Sequence, residues 1–381
     1  MMNYYCATKF TNMYVDVQSR QVYNCCKAMP ERINLEWLQN HPGHLFNTPT
    51  MIQDRKLMLD DKVNPSCDYG CYKYERQGIV SERSNAEKVF YTQAYSSLQS
   101  LEIVLSNDCR LTCAYCGPQW SSTWWRDIEN NGDYNLETVD KRSQNWYKLL
   151  SKMKQKNRST NTKFFELLLR EMELADKLKF VNVLGGEPLL HNDLSALLNV
   201  VEDKQITIVT GLGVASSRLK NFLQQYKSQK IKFKVSAETT GKYFEFLRYG
   251  NKWEEFCDKI KMISDSGYEL EFGSTITNIS LLDFANFFNY FNKDYKIKIQ
   301  LLNDKPFFYP NLLDTQSKNN FKKWYVANPQ CDPNKLLASI TKATASENAK
   351  KDLANFVKEF SRRRQIDLSF LPKHFIGWLY S

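Results

Sequence analysis

Short β-rich segments alternate with helical segments between about residue 100 and residue 301. The strand candidates lie at 101–106, 179–184, 205–210, 231–237, 268–274 and 295–301. Helical patterns between them lie at 192–201, 216–226, 242–265 and 280–291. This alternation is typical of βα units around a parallel sheet, and six units predict an α/β fold with a partial, TIM-like (β/α)6 barrel. In such barrels the chemistry gathers in loops after the carboxyl ends of the strands.

The composition suits one large domain with a small appendage. The chain has 381 residues, of which 42% are hydrophobic, so it can bury a large core. It has no apolar run long enough to span a membrane, and its first residues, MMNYYCATKF, do not resemble a secretory signal. Ten cysteines without an export signal predict a cytoplasmic protein with reduced thiols that serve metal.

Three cysteines follow the first predicted strand, in the segment SNDCRLTCAYCGP. They are Cys109, Cys113 and Cys116, spaced C-x3-C-x2-C. Three thiolates are one too few to saturate a four-iron cluster, so the fourth iron is free to bind a reactive ligand. The competing interpretation is a structural zinc site closed by a distant fourth cysteine, because zinc sites use cysteine pairs at similar spacing.

The triplet resembles the signature of the radical S-adenosylmethionine (radical SAM) enzymes, in which the position of Tyr115 lies against the adenine of SAM. After the second strand, the segment LGGEPLL resembles the family motif that holds the methionyl amino group. The residues of this motif here are Gly185, Gly186, Glu187 and Pro188. Two glycines at a strand end also let a ligand approach the backbone closely.

The resemblance implies further SAM contacts after the fourth and fifth strands. Ser236 and Glu238 would contact the ribose and the carboxylate, and Arg248 would pair with the SAM carboxylate. An ordinary surface ion pair is the alternative for Glu238 and Arg248. Ser274 and Asn278 would add polar contacts, although such residues also cap helices.

A second set of cysteines lies in the first 95 residues and resembles the "twitch" domain, a shortened form of the auxiliary-cluster domain called SPASM. The four expected ligands, with Cys26 as the alternate to the second, are Cys6, Cys25, Cys67 and Cys71. Four thiolates would saturate an auxiliary 4Fe-4S cluster. A four-cysteine zinc site is the alternative.

The twitch resemblance includes a β-hairpin, predicted at 13–17 and 22–25 with a turn at 18–20. The chain departs from the family in two ways: this region precedes the barrel, and its last cysteine pair is C-x3-C where the family has C-x2-C. The predicted organisation is therefore an auxiliary domain at 1–95, a barrel at 96–310 with an insertion at about 118–160, and a C-terminal helical extension at 311–381.

The net charge of +10 is concentrated at 141–163 and 318–364, the latter ending in Arg362, Arg363 and Arg364. Such runs attract anionic partners or form solvated helix faces. No catalytic side chain is predicted from the sequence.

The resemblance implies an enzyme that uses a 4Fe-4S cluster to cleave SAM reductively. The resulting 5′-deoxyadenosyl radical would abstract hydrogen from an unidentified substrate: a peptide, a nucleotide, or a phosphorylated or sugar metabolite. A reductase, flavodoxin or ferredoxin would supply the electron. The alternative is a nucleic-acid-binding protein with structural zinc and no turnover.

Overall fold

The computed structural model describes residues 4–25, 28–68, 70–76, 78, 81–86, 89, 91–92, 95–138, 162–302, 305–328, 331, 336, 340 and 346–381. The described residues divide by their contacts into two compact units. The first unit draws on Met1–Ser106, Gln155–Ile208 and Ser228–Lys232. The second draws on Asn107–Lys154, Val209–Lys227 and Phe233–Ser381.

Strands and helices alternate along most of the described chain. The strands are β1 (Asn12–Asp16), β2 (Gln21–Tyr23), β3 (Glu31–Arg32), β4 (Ser100–Val104), β5 (Phe180–Leu184), β6 (Gln205–Thr210), β7 (Ile231–Ser236), β8 (Glu269–Ile276) and β9 (Lys296–Leu301). The helices are α1 (Leu35–Asn40), α2 (Pro49–Leu59), α3 (Cys71–Glu75), α4 (Glu82–Asn85), α5 (Ser122–Asn131), α6 (Thr162–Leu174), α7 (Leu194–Val200), α8 (Ser216–Gln225), α9 (Gly241–Leu247), α10 (Trp253–Asp265), α11 (Asn278–Leu281), α12 (Phe284–Phe291), α13 (Thr315–Ala327), α14 (Glu347–Arg364) and α15 (Lys373–Leu379). Short 3-10 helices lie at Ala7–Phe10, Leu45–Asn47, Pro65–Cys67, Pro188–Leu190 and Pro306–Phe308.

The described strands follow the sheet order β3-β2-β1-β4-β5-β6-β7-β8-β9. The pairs β4 with β5, β5 with β6 and β8 with β9 are parallel. Strands that neighbour one another in chain order and are joined by helices are what repeated βα units produce. The predicted α/β fold, a partial (β/α)6 barrel with a helical C-terminal extension, is confirmed.

In the first unit, the central strands bury alternate apolar residues, as strands do when one face of a sheet packs on the core. Ile103 of β4 and Val183 of β5 are fully buried. The carboxyl ends of these strands lie side by side, since Val104 is the partner of Leu184. The two motif-bearing segments therefore leave neighbouring strand ends.

The predicted N-terminal hairpin is confirmed. β1 and β2 pair antiparallel, with Tyr14 opposite Tyr23. β1 also pairs in parallel with β4, with Asn12 opposite Ser100, so the hairpin extends the sheet that contains the first barrel strand. The limits of the predicted domains stay predictions, and residues 139–160 of the predicted insertion lie outside the described residues.

In the second unit, α14 is the longest described helix, and it buries one apolar face. Its first turn is capped by the Ser346 hydroxyl, which accepts a hydrogen bond from the Ala349 amide. Phe356 on the buried face lies against Phe307 and Phe308, in the 3-10 helix that follows β9, with ring centroids 5.5 and 5.1 Å apart. The C-terminal extension thus packs beside the end of the last strand.

The continuous helix predicted at 242–265 is wrong, because the segment forms α9 and α10. The break contains Gly250, whose φ of +105° favours glycine. A Cβ atom at Gly250 would lie 3.1 Å from the Arg110 carbonyl oxygen. The break therefore lets another segment of backbone approach closely. The helix predicted at 280–291 is likewise divided, into α11 and α12.

Among the described residues, no helix has the length and apolar character needed to cross a membrane.

We expect Gly250→Ala to lower the free energy of unfolding by more than Gly267→Ala. Both glycines have a positive φ, so each substitution should cost about 1–3 kcal/mol of backbone strain. Nothing lies within 4 Å of a Cβ atom at Gly267, whereas at Gly250 the Arg110 carbonyl must also shift. Urea unfolding of both variants measures the difference, and equal losses would contradict the close approach at Gly250.

Candidate iron–sulfur and SAM site

The cysteine loop, residues 107–117, carries the triplet between β4 and α5. Cys109 is buried, whereas Cys113 and Cys116 are partly buried. The loop pairs with the segment after α9: the amide of Thr112 donates to the carbonyl oxygen of Tyr249 at 2.9 Å. The amide of Ala114 donates to the carbonyl oxygen of Leu247 at 2.8 Å. Two strand-like hydrogen bonds thus fix the middle of the loop.

The start of α5 engages the carbonyl groups of the cysteine loop. The Ser121 hydroxyl donates to the Leu111 carbonyl at 2.7 Å, and the Thr123 hydroxyl donates to the Cys109 carbonyl at 2.6 Å. The Trp124 indole donates to the Cys113 carbonyl at 2.9 Å. Buried backbone polar groups need partners, and here side chains supply them. No sequence pattern indicated this role of Trp124.

Lys305 completes this backbone network from beyond β9. Its buried ammonium group donates to the carbonyl oxygens of Tyr115 at 2.5 Å and Cys116 at 2.7 Å. The sequence analysis also missed this residue. The available signal was a lysine placed just after the last barrel strand, where functional loops gather.

Leu111 anchors the cysteine loop against three glycines. A Cβ atom would lie 3.1 Å from Leu111 at Gly211, 2.8 Å at Gly213 and 3.1 Å at Gly250. Because real Cβ contacts are rarely this short, larger residues at these positions would push on the loop. Glycines on two separate connections therefore make room for it.

Glu238, Arg248 and Tyr115 form a buried polar group beside Cys113. Arg248 binds Glu238 through two nitrogens, at 2.7 and 3.3 Å, and the Tyr115 hydroxyl lies 3.0 Å from both carboxylate oxygens. Glu238 is fully buried, so the surface ion pair considered as the alternative is excluded. The predicted contacts of Glu238, Arg248 and Tyr115 with SAM stay predictions.

The Cys113 thiol lies in the same environment. Burial raises its pKa to about 12, against the opposing effect of the Arg248 charge. A metal that binds this sulfur must therefore displace a tightly held proton, as coordination of a thiol does.

Most of the remaining predicted SAM contacts have partners within the protein. The Ser274 hydroxyl donates to the Ala237 carbonyl at 2.6 Å, and the Asn278 amide donates to the Phe307 carbonyl at 2.8 Å. Ser236 ends β7 and is half-buried. The roles of Ser236, Ser274 and Asn278 toward SAM stay predictions.

The Gly-Gly-Glu-Pro motif forms a tight turn after β5, in the first unit. Gly185 has a φ of +132°, and a Cβ atom there would lie 2.6 Å from the Ser106 carbonyl oxygen. The Gly186 amide donates to the same oxygen at 2.9 Å. Glu187 is buried and caps the 3-10 helix begun by Pro188, accepting from the Leu189 amide at 3.3 Å. The glycine at 185 is thus required by the backbone of the first unit itself.

Three of the described N-terminal cysteines, Cys6, Cys25 and Cys67, interact electrostatically in the first unit. Cys6, Cys67 and Cys71 are buried, and Cys25 is partly buried. Burial raises the pKa of Cys67 to about 11, and the neighbouring Cys6 and Cys25 thiols act in the same direction. Cys71 begins α3, one turn after Cys67. The alternate ligand, Cys26, lies outside the described residues.

A buried ion pair joins the segments that carry these cysteines. The ammonium of Lys9 lies 2.5 Å from an Asp54 carboxylate oxygen and 2.6 Å from the Ser66 hydroxyl. The Asn24 amide donates to the same Asp54 oxygen at 3.0 Å. Burial would raise the pKa of Asp54, but Lys9 and these hydrogen bonds bring it below its ordinary value. Asn24 and Ser66 directly precede Cys25 and Cys67 in the chain.

The donor sets fit iron–sulfur ligation by their chemistry. The cysteine loop offers three thiols, and the Leu111 amide lies 3.4 Å from the Cys109 sulfur, the kind of contact that tunes cluster potential. Among the described residues, no three His, Cys, Asp or Glu side chains are grouped so as to hold a metal ion. In a cluster the thiolates bind different iron atoms, so they need not converge on one point.

Comparison with solved structures gives several distant likenesses. A structure titled "Native anSMEcpe with bound AdoMet" is 14% identical, with a TM-score of 0.39, and the match covers 60% of this chain and 60% of that one. Streptococcus suis SuiB bound to S-adenosylmethionine is 16% identical, with a TM-score of 0.41 and coverage of 77% and 68%. SuiB bound to the precursor peptide SuiA is 16% identical, with a TM-score of 0.39 and coverage of 68% and 57%.

The matched region spans about three fifths of the length of the first of these structures. No curated protein matches the sequence significantly. Residues 103–286 match the family described as Radical SAM superfamily, a region that begins in β4 and includes the cysteine loop and the Gly-Gly-Glu-Pro turn. The similarity to the radical SAM superfamily therefore lies at residues 103–286, slightly less than half of the chain.

Proposed function

We propose that the chain is a radical SAM enzyme whose cysteine loop holds a 4Fe-4S cluster through Cys109, Cys113 and Cys116. The observation that carries this proposal is the loop itself. Its backbone carbonyls are bonded by α5 and Lys305, and it presents three thiols at the spacing of the family signature. The loop also lies in the part of the chain that matches the Radical SAM superfamily.

When bound, the cluster and SAM supply one-electron cleavage of SAM, which generates the radical that removes hydrogen from the substrate. The residues of this chain position the reactants and limit the access of water. The buried Glu238–Arg248 pair holds Tyr115 through its hydroxyl, and so fixes the aromatic ring within the cysteine loop. A rigid loop of this kind suits a reaction in which a misplaced radical would attack the protein.

We further propose that Cys6, Cys25, Cys67 and Cys71 bind an auxiliary 4Fe-4S cluster. The Lys9–Asp54 ion pair supports this proposal, because it ties together residues next to Cys25 and Cys67 and one turn from Cys6. The substrate and the electron donor, a flavodoxin, ferredoxin or reductase, are the partners this function requires.

The proposed function is tested by purifying the protein without oxygen and measuring iron, sulfide and zinc. Two clusters predict about eight irons per chain, and SAM with a strong reductant should yield 5′-deoxyadenosine. If the protein contains about four irons per chain and still forms deoxyadenosine, the proposed auxiliary cluster is contradicted and the SAM-binding cluster is kept. Zinc without iron would overturn the enzyme proposal and favour the zinc-containing binding protein.

We expect Cys113→Ala to abolish deoxyadenosine formation, because two thiolates would be left to hold the SAM-binding cluster. The fold should persist, since the backbone bonds of the loop do not use this sulfur. Cys257→Ala, which removes a partly exposed thiol from α10, is the matched control and should keep full iron and activity. Full SAM cleavage by Cys113→Ala would refute the ligand assignment.

We expect Lys9→Met to lower the free energy of unfolding by about 3 kcal/mol, the lower end for a broken buried pair, because the Asp54 side chain, 14% exposed, would lose its cation. Iron at the auxiliary site should fall as well, while SAM cleavage at the barrel cluster is retained. Denaturant unfolding and iron analysis measure the two effects.

Two controls accompany this variant. Lys62→Met removes an exposed cation and should change neither stability nor iron content. The double variant with Lys9→Met and Asp54→Asn should recover part of the lost stability, since neither charge of the pair would remain. A Lys9→Met protein with unchanged iron would show that the ion pair does not organise the cysteines.

A further inference from the structure

The arginine run that ends α14 is mostly buried. The Arg362 side chain is 65% exposed, but those of Arg363 and Arg364 are 2% and 5% exposed. Two of the three charges that suggested an anion-binding patch are therefore used inside the second unit. A buried guanidinium needs several partners, and those partners show what it does.

Arg364 reaches the cysteine loop directly. Its Nε donates to the Thr112 hydroxyl at 3.3 Å, and its Nη1 donates to the Tyr134 hydroxyl at 2.9 Å. The guanidinium carbon lies 3.8 Å from the ring centroid of Phe360 in its own helix. Thr112 stands between the first two cysteines of the triplet.

The same guanidinium contacts two residues that bond the loop backbone. It lies 5.2 Å from the Trp124 ring and 5.3 Å from the Tyr249 ring. Trp124 donates to the Cys113 carbonyl, and the Tyr249 carbonyl accepts from the Thr112 amide. Arg364 thus contacts the loop at Thr112. It also contacts Trp124 and Tyr249, the residues of α5 and of the segment after α9 that bond the loop backbone.

Arg363 and Arg364 share Asp127 and Tyr134 as partners, since Nη2 of Arg364 also lies 3.6 Å from the Asp127 carboxylate. Within the described residues, the Arg363 guanidinium bonds to Asp127 at 3.2 Å and to the Gly132 carbonyl at 2.9 Å, at the end of α5. It also stacks on Tyr134, 4.0 Å from the ring centroid. Both arginines therefore dock α14 on α5, and Arg364 also bonds to the loop that carries the thiols.

We propose that Arg364 is a positioning residue for the cysteine loop, and that the C-terminal helix thereby holds the triplet in its ligating conformation. This inference rests on the proposed iron–sulfur function of the loop. Arginine suits the role because its planar group donates in one plane while its faces pack on aromatic rings. Lysine at this position would keep the positive charge but would lack the planar guanidinium group with its several donors.

The test compares Arg364→Gln, Arg364→Lys, Arg363→Gln and Arg362→Gln by hydrogen exchange and by loss of iron to a chelator. In iron-free Arg364→Gln, the amides of Thr112 and Ala114 should exchange about tenfold faster than in the parent protein. Iron-loaded Arg364→Gln should release barrel-site iron about tenfold faster than the parent protein. The exchange and iron-release rates of Arg364→Lys should lie between those of the parent protein and of Arg364→Gln. Arg362→Gln, which changes an exposed side chain, should match the parent protein in both measurements.

Arg363→Gln separates loop positioning from helix docking. It should speed exchange at residues 131–134 and leave Thr112 and Ala114 as in the parent protein. Equal exchange of these two amides in Arg364→Gln and Arg362→Gln would overturn the inference. So would loop exchange raised equally by Arg363→Gln and Arg364→Gln, because that would indicate general docking.

Two further outcomes are distinguishable. If the parent protein binds no iron, the proposed function fails, and exchange in the iron-free protein still decides the role of Arg364. If Arg364→Gln does not fold, Arg364→Lys decides. Faster exchange of the loop amides in a folded Arg364→Lys supports the inference, and exchange equal to that of the parent protein overturns it.

Discussion

Hydrogen bonding of the cysteine-loop backbone is the constraint on which the rest of the second unit depends. A loop that carries three thiols in eight residues forms neither helix nor sheet, so its carbonyl groups need other partners. Side chains at the start of α5 and the ammonium of Lys305 bond five of these carbonyls. Because side chains of neighbouring elements bond these carbonyls, the backbone of the loop is held without the use of its sulfur atoms. The fold thus separates the groups that hold the loop from the groups that would hold metal.

Local features of this arrangement could be predicted from the sequence, because they depend on residues close together in the chain. The alternation of strands and helices indicated the α/β fold, and cysteine spacing located the loop. The tight turn at Gly185 follows from a glycine pair at a strand end. The contact made by Lys305 could not be found this way, since this residue lies 190 residues from Tyr115, whose carbonyl it bonds. Only the tertiary fold brings such partners together.

The environment of charged residues could not be predicted from the sequence either. A sequence gives the number of charges but does not show whether each one is exposed to solvent. Arg363 and Arg364 counted toward a basic surface, yet each is buried among aromatic rings and carboxylates. Glu238 and Arg248 were predicted to meet SAM, and the structure pairs them with each other. A fully buried carboxylate must have a partner of its own, whatever ligand binds nearby. Their pairing therefore places a buried ion pair beside Cys113.

The ion pair between Lys9 and Asp54 extends this reasoning to the N-terminal cysteines. Replacing a buried ion pair with apolar side chains often costs nothing, so stability alone does not explain it. Contacts between aliphatic side chains have no preferred direction, so such side chains can slide past one another. Hydrogen bonds are directional, and Asp54 accepts them from Lys9, Asn24 and Ser66. Each of these residues lies within three positions of a cysteine. One carboxylate thus sets the register of three chain segments at once, and thiols that share a cluster need their segments held in that way.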